Sequence, residues 1–136
     1  MDPLELLNER IHEFPGYETD TDRRLSDEMV RAFLGEMLAD LQVKLGPLDE
    51  ATASKIGDLM FRSGFTNQIA FRPYESLELD EAGVTEIATA DARAVDLADV
   101  AATVRKDGLA EFLDEVTAAF DARDGAMRSL AATRSS

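Results

Sequence analysis

The chain has 136 residues, 45% of them hydrophobic, and its 14 basic and 28 acidic side chains give a formal net charge of −14. This length is typical of one domain, and the apolar content argues against a disordered chain. The negative charge opposes contact with nucleic-acid phosphates and anionic membranes, and the absence of cysteine excludes disulfides, thiolate catalysis and cysteine-bound zinc.

The first predicted helix begins at Asp2-Pro3, because aspartate caps free amides and proline needs no hydrogen bond at the first helical position. Pro15-Gly16 ends it. Its apolar residues fall on one stripe, a candidate contact surface for a second copy or another protein: Leu4, Leu7, Ile11 and Phe14.

The start of the chain lacks a basic leader and an apolar core, and no apolar run approaches the roughly 20 residues that span a bilayer. These features predict a soluble, cytoplasmic protein.

The strongest helical pattern in the chain predicts a long central helix from about Thr21 to Leu45, where Gly46-Pro47 stops it. Its apolar residues cover about half of the helix circumference, which is wider than the roughly 100° stripe of a helix lying on a surface. We therefore expect neighbours to enclose this helix on several sides. Gly35 in its interior costs roughly 1 kcal/mol relative to alanine, and we expect it to let another helix approach closely.

A third helix is predicted from about Asp49 to Ser63, forming an antiparallel hairpin with the central helix because the connection is short. The periodicity then weakens. From Phe65 to Glu75 we predict a packed loop or a single turn, since Pro73 interrupts any helix.

The stretch from residue 76 to residue 90 fits two structures. A β-hairpin within residues 77–88 is one, and a helix capped by Asp80 is the other and the favoured one. A further helical segment is predicted to open at Asp96, and the last strong helix begins near Leu109. The predicted fold is all-α: an antiparallel bundle of five to six helices around the central one, forming a single domain over residues 1–132 with a frayed tail at 133–136.

The motifs for metal binding and catalysis are incomplete. Glu9 and His12 have the Glu-x-x-His spacing that di-iron bundles use twice, but His12 is the only histidine. Asp20 and Asp22 begin like a calcium loop, but the glycine and glutamate required at its sixth and twelfth positions do not follow. Neither a nucleophile elbow nor a phosphate-binding glycine loop occurs. We therefore predict no metal, no cofactor and no catalytic residue.

A candidate ligand or partner surface surrounds the weakly patterned segment. It combines aromatic rings, which line pockets and interfaces, with arginines, whose guanidinium groups recognise carboxylate and phosphate. Its members are Arg62, Phe65, Phe71, Arg72 and Tyr74. Core packing of the rings and neutralisation of nearby acids by the arginines are the competing explanations.

The sequence as a whole favours a non-enzymatic protein-interaction or assembly module, expected to be a homodimer without nucleic-acid or membrane partners. One alternative is a small-molecule binder or enzyme with a pocket between helices near residues 62–74. A further alternative, based on the net charge, is an acidic mimic of DNA.

Overall fold

The computed structural model describes residues 1–134 and confirms the all-α prediction: it contains six α-helices and one short 3-10 helix, with no strand in that range. The helices are α1 (Pro3–Arg10), α2 (Asp20–Leu45), α3 (Glu50–Ser63), α4 (Gln68–Glu75), α5 (Glu81–Ala101) and α6 (Leu109–Arg134), with the 3-10 turn at Lys106–Gly108 before α6.

Side-chain caps fix where the first five helices begin. Before each of them, a polar side chain accepts a hydrogen bond from an amide two or three residues later. The caps are Asp2, Thr19, Asp49, Asn67 and Asp80. The last one settles the ambiguous stretch, because the Gly83 amide donates to the Asp80 carboxylate at 2.7 Å and α5 forms in place of a hairpin. At the other end of α2, Gly46 adopts a φ of 70°, which ends the helix.

Four helices form a ring in the order α2, α3, α6, α5, with α1 packed on α5 and α4 packed on α6. α2 and α3 make one antiparallel hairpin, and α5 and α6 make another. The two hairpins lie side by side with α3 and α6 parallel. Lys55 pairs with Asp114, and two turns further along both helices Arg62 pairs with Asp121.

The hydrophobic core takes side chains from all six α-helices. The expected burial of α2 holds for most of its apolar face, but Leu25 and Val43 on the same helix are exposed. The close approach predicted at Gly35 is confirmed. A Cβ atom placed there would lie 2.8 Å from the Ser63 hydroxyl oxygen at the end of α3.

The segment predicted as a packed loop contains helix α4, so that prediction was wrong. Asn67 caps the helix, and Pro73 lies near its end, where the missing amide removes only the hydrogen bond to the Ile69 carbonyl. Burial of one face compensates for that loss. The residues on the buried face are Ala70, Phe71 and Tyr74.

Other boundaries also differ from the predicted ones. No separate helix opens at Asp96, because this exposed side chain lies in the interior of α5, where an aspartate is tolerated. α1 ends at Arg10, before the predicted stop at Pro15, and the chain turns so that the last two apolar residues of its stripe reach the core. Of the predicted frayed tail, Thr133 and Arg134 continue α6, and residues 135–136 lie outside the described residues.

Candidate interaction surface

A network of charged side chains, the ion network, lies in the middle of the bundle. Arg123 of α6 is 2% exposed, and its Nε donates to Asp91 Oδ1 of α5 at 2.6 Å. Its Nη2 donates to Asp27 Oδ1 of α2 at 2.9 Å. Tyr17, in the segment before α2, donates its hydroxyl to Asp91 Oδ2 at 2.5 Å. One guanidinium therefore joins three helices through charge-assisted hydrogen bonds.

Burial governs the ionisation of this network. It raises the pKa of Tyr17 well above its ordinary value, with a further contribution from the charge of Asp91, and it raises the pKa of Tyr74. It also raises the pKa of Asp91, against the opposing charge of Arg123. For Arg123 burial acts in the lowering direction, but the charges of Asp91 and Asp27 outweigh it and the pKa is raised. Near neutral pH the guanidinium is therefore charged and both tyrosines are neutral.

The ion network extends to the loop between α3 and α4. Arg31 Nε donates to Asp27 Oδ2 at 2.9 Å, and the Thr66 hydroxyl donates to the same oxygen at 2.9 Å. Arg31 also donates from Nη1 to the Ser63 carbonyl at 3.0 Å and from Nη2 to Thr66 Oγ1 at 3.0 Å. The loop is thus bound to a carboxylate that Arg123 also holds.

Arg23 makes a second junction near the start of α2. It is buried, and its guanidinium lies 5.6 Å from the centre of the Tyr74 ring. Its Nε donates to the Tyr17 carbonyl at 2.9 Å, and its Nη1 donates to the carbonyls of Glu75 and Leu77. These bonds fix the segment before α2 and the end of α4 to the same helix.

No buried side-chain nitrogen or oxygen within residues 1–134 lacks a hydrogen-bond partner. Both carboxylates of the ion network are held by several donors, and the guanidinium between them is held by both. Hydrogen bonds that join several helices in this way fix how the helices pack. Because each of these groups already has its partners, none is left free to bind or protonate a ligand. The role that the geometry supports for it is structural.

Two exposed phenylalanines, which we term the aromatic pair, stand at the end of α3 and in the loop that follows. Phe61 is 71% exposed and Phe65 is 61% exposed, with ring centroids 4.9 Å apart at an interplanar angle of 50°. Ile69, in the first turn of α4, is 80% exposed. An open groove of about 490 Å³ adjoins the pair and is also lined by Arg62. The adjacent exposed rings make this surface the candidate interaction site.

The segment that carries the aromatic pair is anchored on two sides. Towards α2 it is held by the hydrogen bonds of Thr66 described above. Towards α6, Arg62 Nη2 donates to Asp121 Oδ1 at 2.9 Å and to Asp124 Oδ2 at 3.1 Å. Asn67 Nδ2 donates to the same oxygen of Asp124 at 2.9 Å. The backbone beneath the rings is therefore positioned before any partner binds.

The charge around the aromatic pair differs from that of the rest of the chain. Residues 59–74 contain no aspartate or glutamate, and this is the longest stretch of the sequence without an acid. The same stretch contains Arg62 and Arg72. The exposed rings thus lie in the least acidic segment of a strongly acidic protein.

The structure divides the predicted ligand or partner surface into three parts. Arg62 and Phe65 both line the open groove. Phe71 and Tyr74 instead pack edge to face in the core, with ring centroids 5.7 Å apart. Arg72 lies exposed on the opposite face of α4. The division follows from the helix: residues three to four positions apart share its buried face, and Arg72 lies between them in sequence.

The predicted stripe on α1 packs against the rest of the chain. Its three buried members are Leu7, Ile11 and Phe14. Leu4 is partly buried against the same core, and α1 lies on α5. A partner bound to this stripe would displace α5.

Sequence reasoning missed the ion network and Phe61, although the sequence contains a signal for the network. Arg123 lies three residues after Phe120 and four before Met127, both of which are core residues, so it occupies a position on the buried face of α6. Asp27 likewise precedes Val30 by one turn on α2. A charged residue at a core position predicts a buried partner of opposite charge.

Further observations bound the function. Within residues 1–134 no three His, Cys, Asp or Glu side chains are grouped so as to hold a metal ion, and His12 is exposed. No helix in that range has the length and apolarity needed to cross a membrane. No protein-family model, no curated protein and no solved structure matches this chain.

Proposed function

We propose that this chain is a non-enzymatic protein-interaction module that forms a homodimer through the aromatic pair. The observation that carries the proposal is the pair itself: two adjacent, exposed rings, Phe61 and Phe65, on a segment anchored to α2 and α6. The open groove beside the pair gives a second copy a place for its own rings.

Burial of the rings supplies the driving force. Removing a phenylalanine side chain from water stabilises by about 1.5–3 kcal/mol when its burial is complete. Because Thr66 and Arg62 already hold the backbone under the rings, little conformational entropy is lost when the surface is covered. An anchored aromatic pair is therefore a more effective contact than the same two side chains on a mobile loop.

The distribution of charge supports a second copy as the partner. Two chains of net charge −14 repel each other over most of their surfaces. A two-fold axis at the aromatic pair brings the acid-free residues 59–74 of both copies together, and Arg62 in that stretch is already neutralised by Asp121 and Asp124. The pairing of Arg62 with these two acids and the lack of acids in the stretch itself reduce the repulsion that a second copy meets there.

The test is the oligomeric state of the double variant Phe61→Ser/Phe65→Ser, measured by sedimentation equilibrium over a range of concentrations. We expect the unmodified protein to dimerise and the variant to remain a monomer with an unchanged helical circular dichroism spectrum. Val43→Ser is the matched control, because Val43 is an exposed apolar side chain elsewhere on the surface. The control should dimerise like the unmodified chain.

Salt provides an independent check. Because net repulsion opposes the dimer and apolar burial favours it, added salt should tighten the association. A monomer at every concentration, or a dimer that survives loss of both rings, would overturn the proposal.

A further inference from the structure

A groove, the α2 groove, follows one face of α2 between α1 and α5. Two adjoining cavities of about 290 and 270 Å³ form it and share Phe33 and Glu36 in their linings. On α2 the lining extends from Met29 to Lys44. None of its lining residues belongs to the aromatic pair or its groove.

We propose that the α2 groove binds a basic amphipathic helix of another protein, an interaction separate from the dimer. Its length fits this occupant: at a rise of about 1.5 Å per residue, the span from Met29 to Lys44 is about 22 Å, or four helical turns. Helices of that length dock into grooves through apolar residues spaced three and four apart.

The floor and wall of the α2 groove suit the apolar face of a helix. Phe33 and Met29 are only partly buried, and Met37 lies between the walls with them. Methionine side chains adapt to varied apolar partners because they are unbranched and polarizable. On α5 the wall consists of small residues, Ala98 and Ala101 among them, which let a backbone approach closely.

The α2 groove is lined by two acids and two cations, but Arg10 pairs with acids of α5 and Lys44 donates to the Ala102 carbonyl, so the carboxylates without a partner favour a basic occupant. Glu36 and Asp40 lie one turn apart, both exposed, and neither side-chain carboxylate has an ion pair or hydrogen bond with any residue in 1–134. Asp96 and Asp99 of α5, by contrast, are already engaged by Arg10. Since the chain carries −14 in total, a basic helix is attracted and the acidic helices of a second copy are repelled.

The first experiment uses a fluorescent synthetic peptide of four helical turns, with leucines on one face and lysines on the other, titrated with the protein and followed by anisotropy. We expect binding that weakens about tenfold in Glu36→Lys/Asp40→Lys. Glu111→Lys/Glu115→Lys is the matched control. It reverses two exposed, unpaired carboxylates one turn apart on α6 and so changes the net charge equally.

The control separates docking from general attraction, and we expect it to bind the peptide within about twofold of the unmodified protein. Equal weakening in both double variants would overturn the proposal, as would equal binding of a peptide with the same composition in scrambled order. Absence of binding by the amphipathic peptide would overturn it as well.

The second experiment locates the bound peptide by NMR of methionine methyl groups. The signals of Met29 and Met37, which line the groove, should shift on titration. Those of Met60 on α3 and Met127 in the core of α6 should stay in place. Shifts at Met60 in place of Met29 would move the contact to another surface and overturn the proposal. Concentration-dependent shifts of the groove methyls without peptide would mean that a second copy occupies the groove, which also overturns it.

Discussion

The ion network and the aromatic pair reverse the usual placement of polar and apolar side chains. Arg123 and Asp91 are almost completely buried, whereas Phe61 and Phe65 are mostly exposed. The buried charges have their hydrogen-bond partners within the chain, whereas the two exposed rings pack against each other and leave most of their surface in water. The ion network is complete within a single chain, whereas the aromatic pair leaves apolar surface that the proposed partner would cover.

Under the proposed function, the ion network stabilises the fold and the aromatic pair binds the partner. Charges in the core set the register between α2, α5 and α6, because Arg123 meets both carboxylates only when the three helices are correctly aligned. The rings contribute little to the folded state of one chain, since most of their surface remains in water. Substitutions in the ion network should therefore lower the free energy of unfolding, whereas substitutions in the aromatic pair should weaken association and leave the stability of one chain nearly unchanged.

The largest effect is expected from Arg123→Met, which keeps the apolar stem of the side chain and removes its charge. Asp27 and Asp91 are then left buried without their shared cation, and loss of one partner from a buried ion pair costs about 3–5 kcal/mol. The free energy of unfolding, measured by urea titration with circular dichroism, should fall by that amount.

Arg128→Met on the same helix is the control for Arg123→Met. Arg128 is exposed and has no ion pair within residues 1–134, so the cost should stay within about 0.5 kcal/mol. Equal effects at the two positions would show that the buried charges do not hold the bundle together, and the contrast between the two regions would fail.

A smaller effect is expected from Tyr17→Phe, which leaves one oxygen of Asp91 without its donor. An unsatisfied buried acceptor costs about 1–3 kcal/mol, and urea unfolding should show the loss. Tyr74→Phe is the matched control, since Tyr74 is also a buried tyrosine but the donors to Asp91 are Tyr17 and Arg123. If both variants lose the same stability, the hydroxyl bond to Asp91 contributes nothing specific.

The periodicity of the sequence was sufficient to predict the fold class and most helix boundaries. The pattern along α2, the cap at Asp80 and the glycine at position 35 in a helix interior are local features, so they can be recognised without tertiary information. The prediction of a loop at residues 65–75 was wrong because it considered only the hydrogen bond that Pro73 removes. It did not include the burial of Phe71, which stabilises the same short helix.

The candidate surface was predicted only in part, for a related reason. Arg62 and Phe65, two of the residues predicted from the sequence, line the groove beside the aromatic pair, but exposure of Phe61 depends on how α3 packs on its neighbours, which local periodicity does not specify. The pairing of Arg123 with Asp27 is likewise invisible to local patterns, since 96 residues separate them along the chain. Sequence periodicity does not identify contacts between side chains that meet only through tertiary packing.

Thr66→Val tests whether the two regions are coupled, and its expected effect on stability is the smallest. Valine preserves the shape of the side chain but removes the hydroxyl between Asp27 and Arg31, which should cost about 1 kcal/mol of unfolding free energy. Because that hydroxyl also positions the loop carrying Phe65, amides 64–67 should exchange hydrogen faster and the dimer should weaken several-fold.

Thr103→Val is the control for this coupling. Its hydroxyl donates only to the Val100 carbonyl at an exposed helix end, so neither association nor exchange at residues 64–67 should change. A Thr66→Val protein that loses stability yet dimerises normally would separate the ion network from the aromatic pair. The buried charges would then serve the fold alone, because an anchored loop would not be needed for recognition.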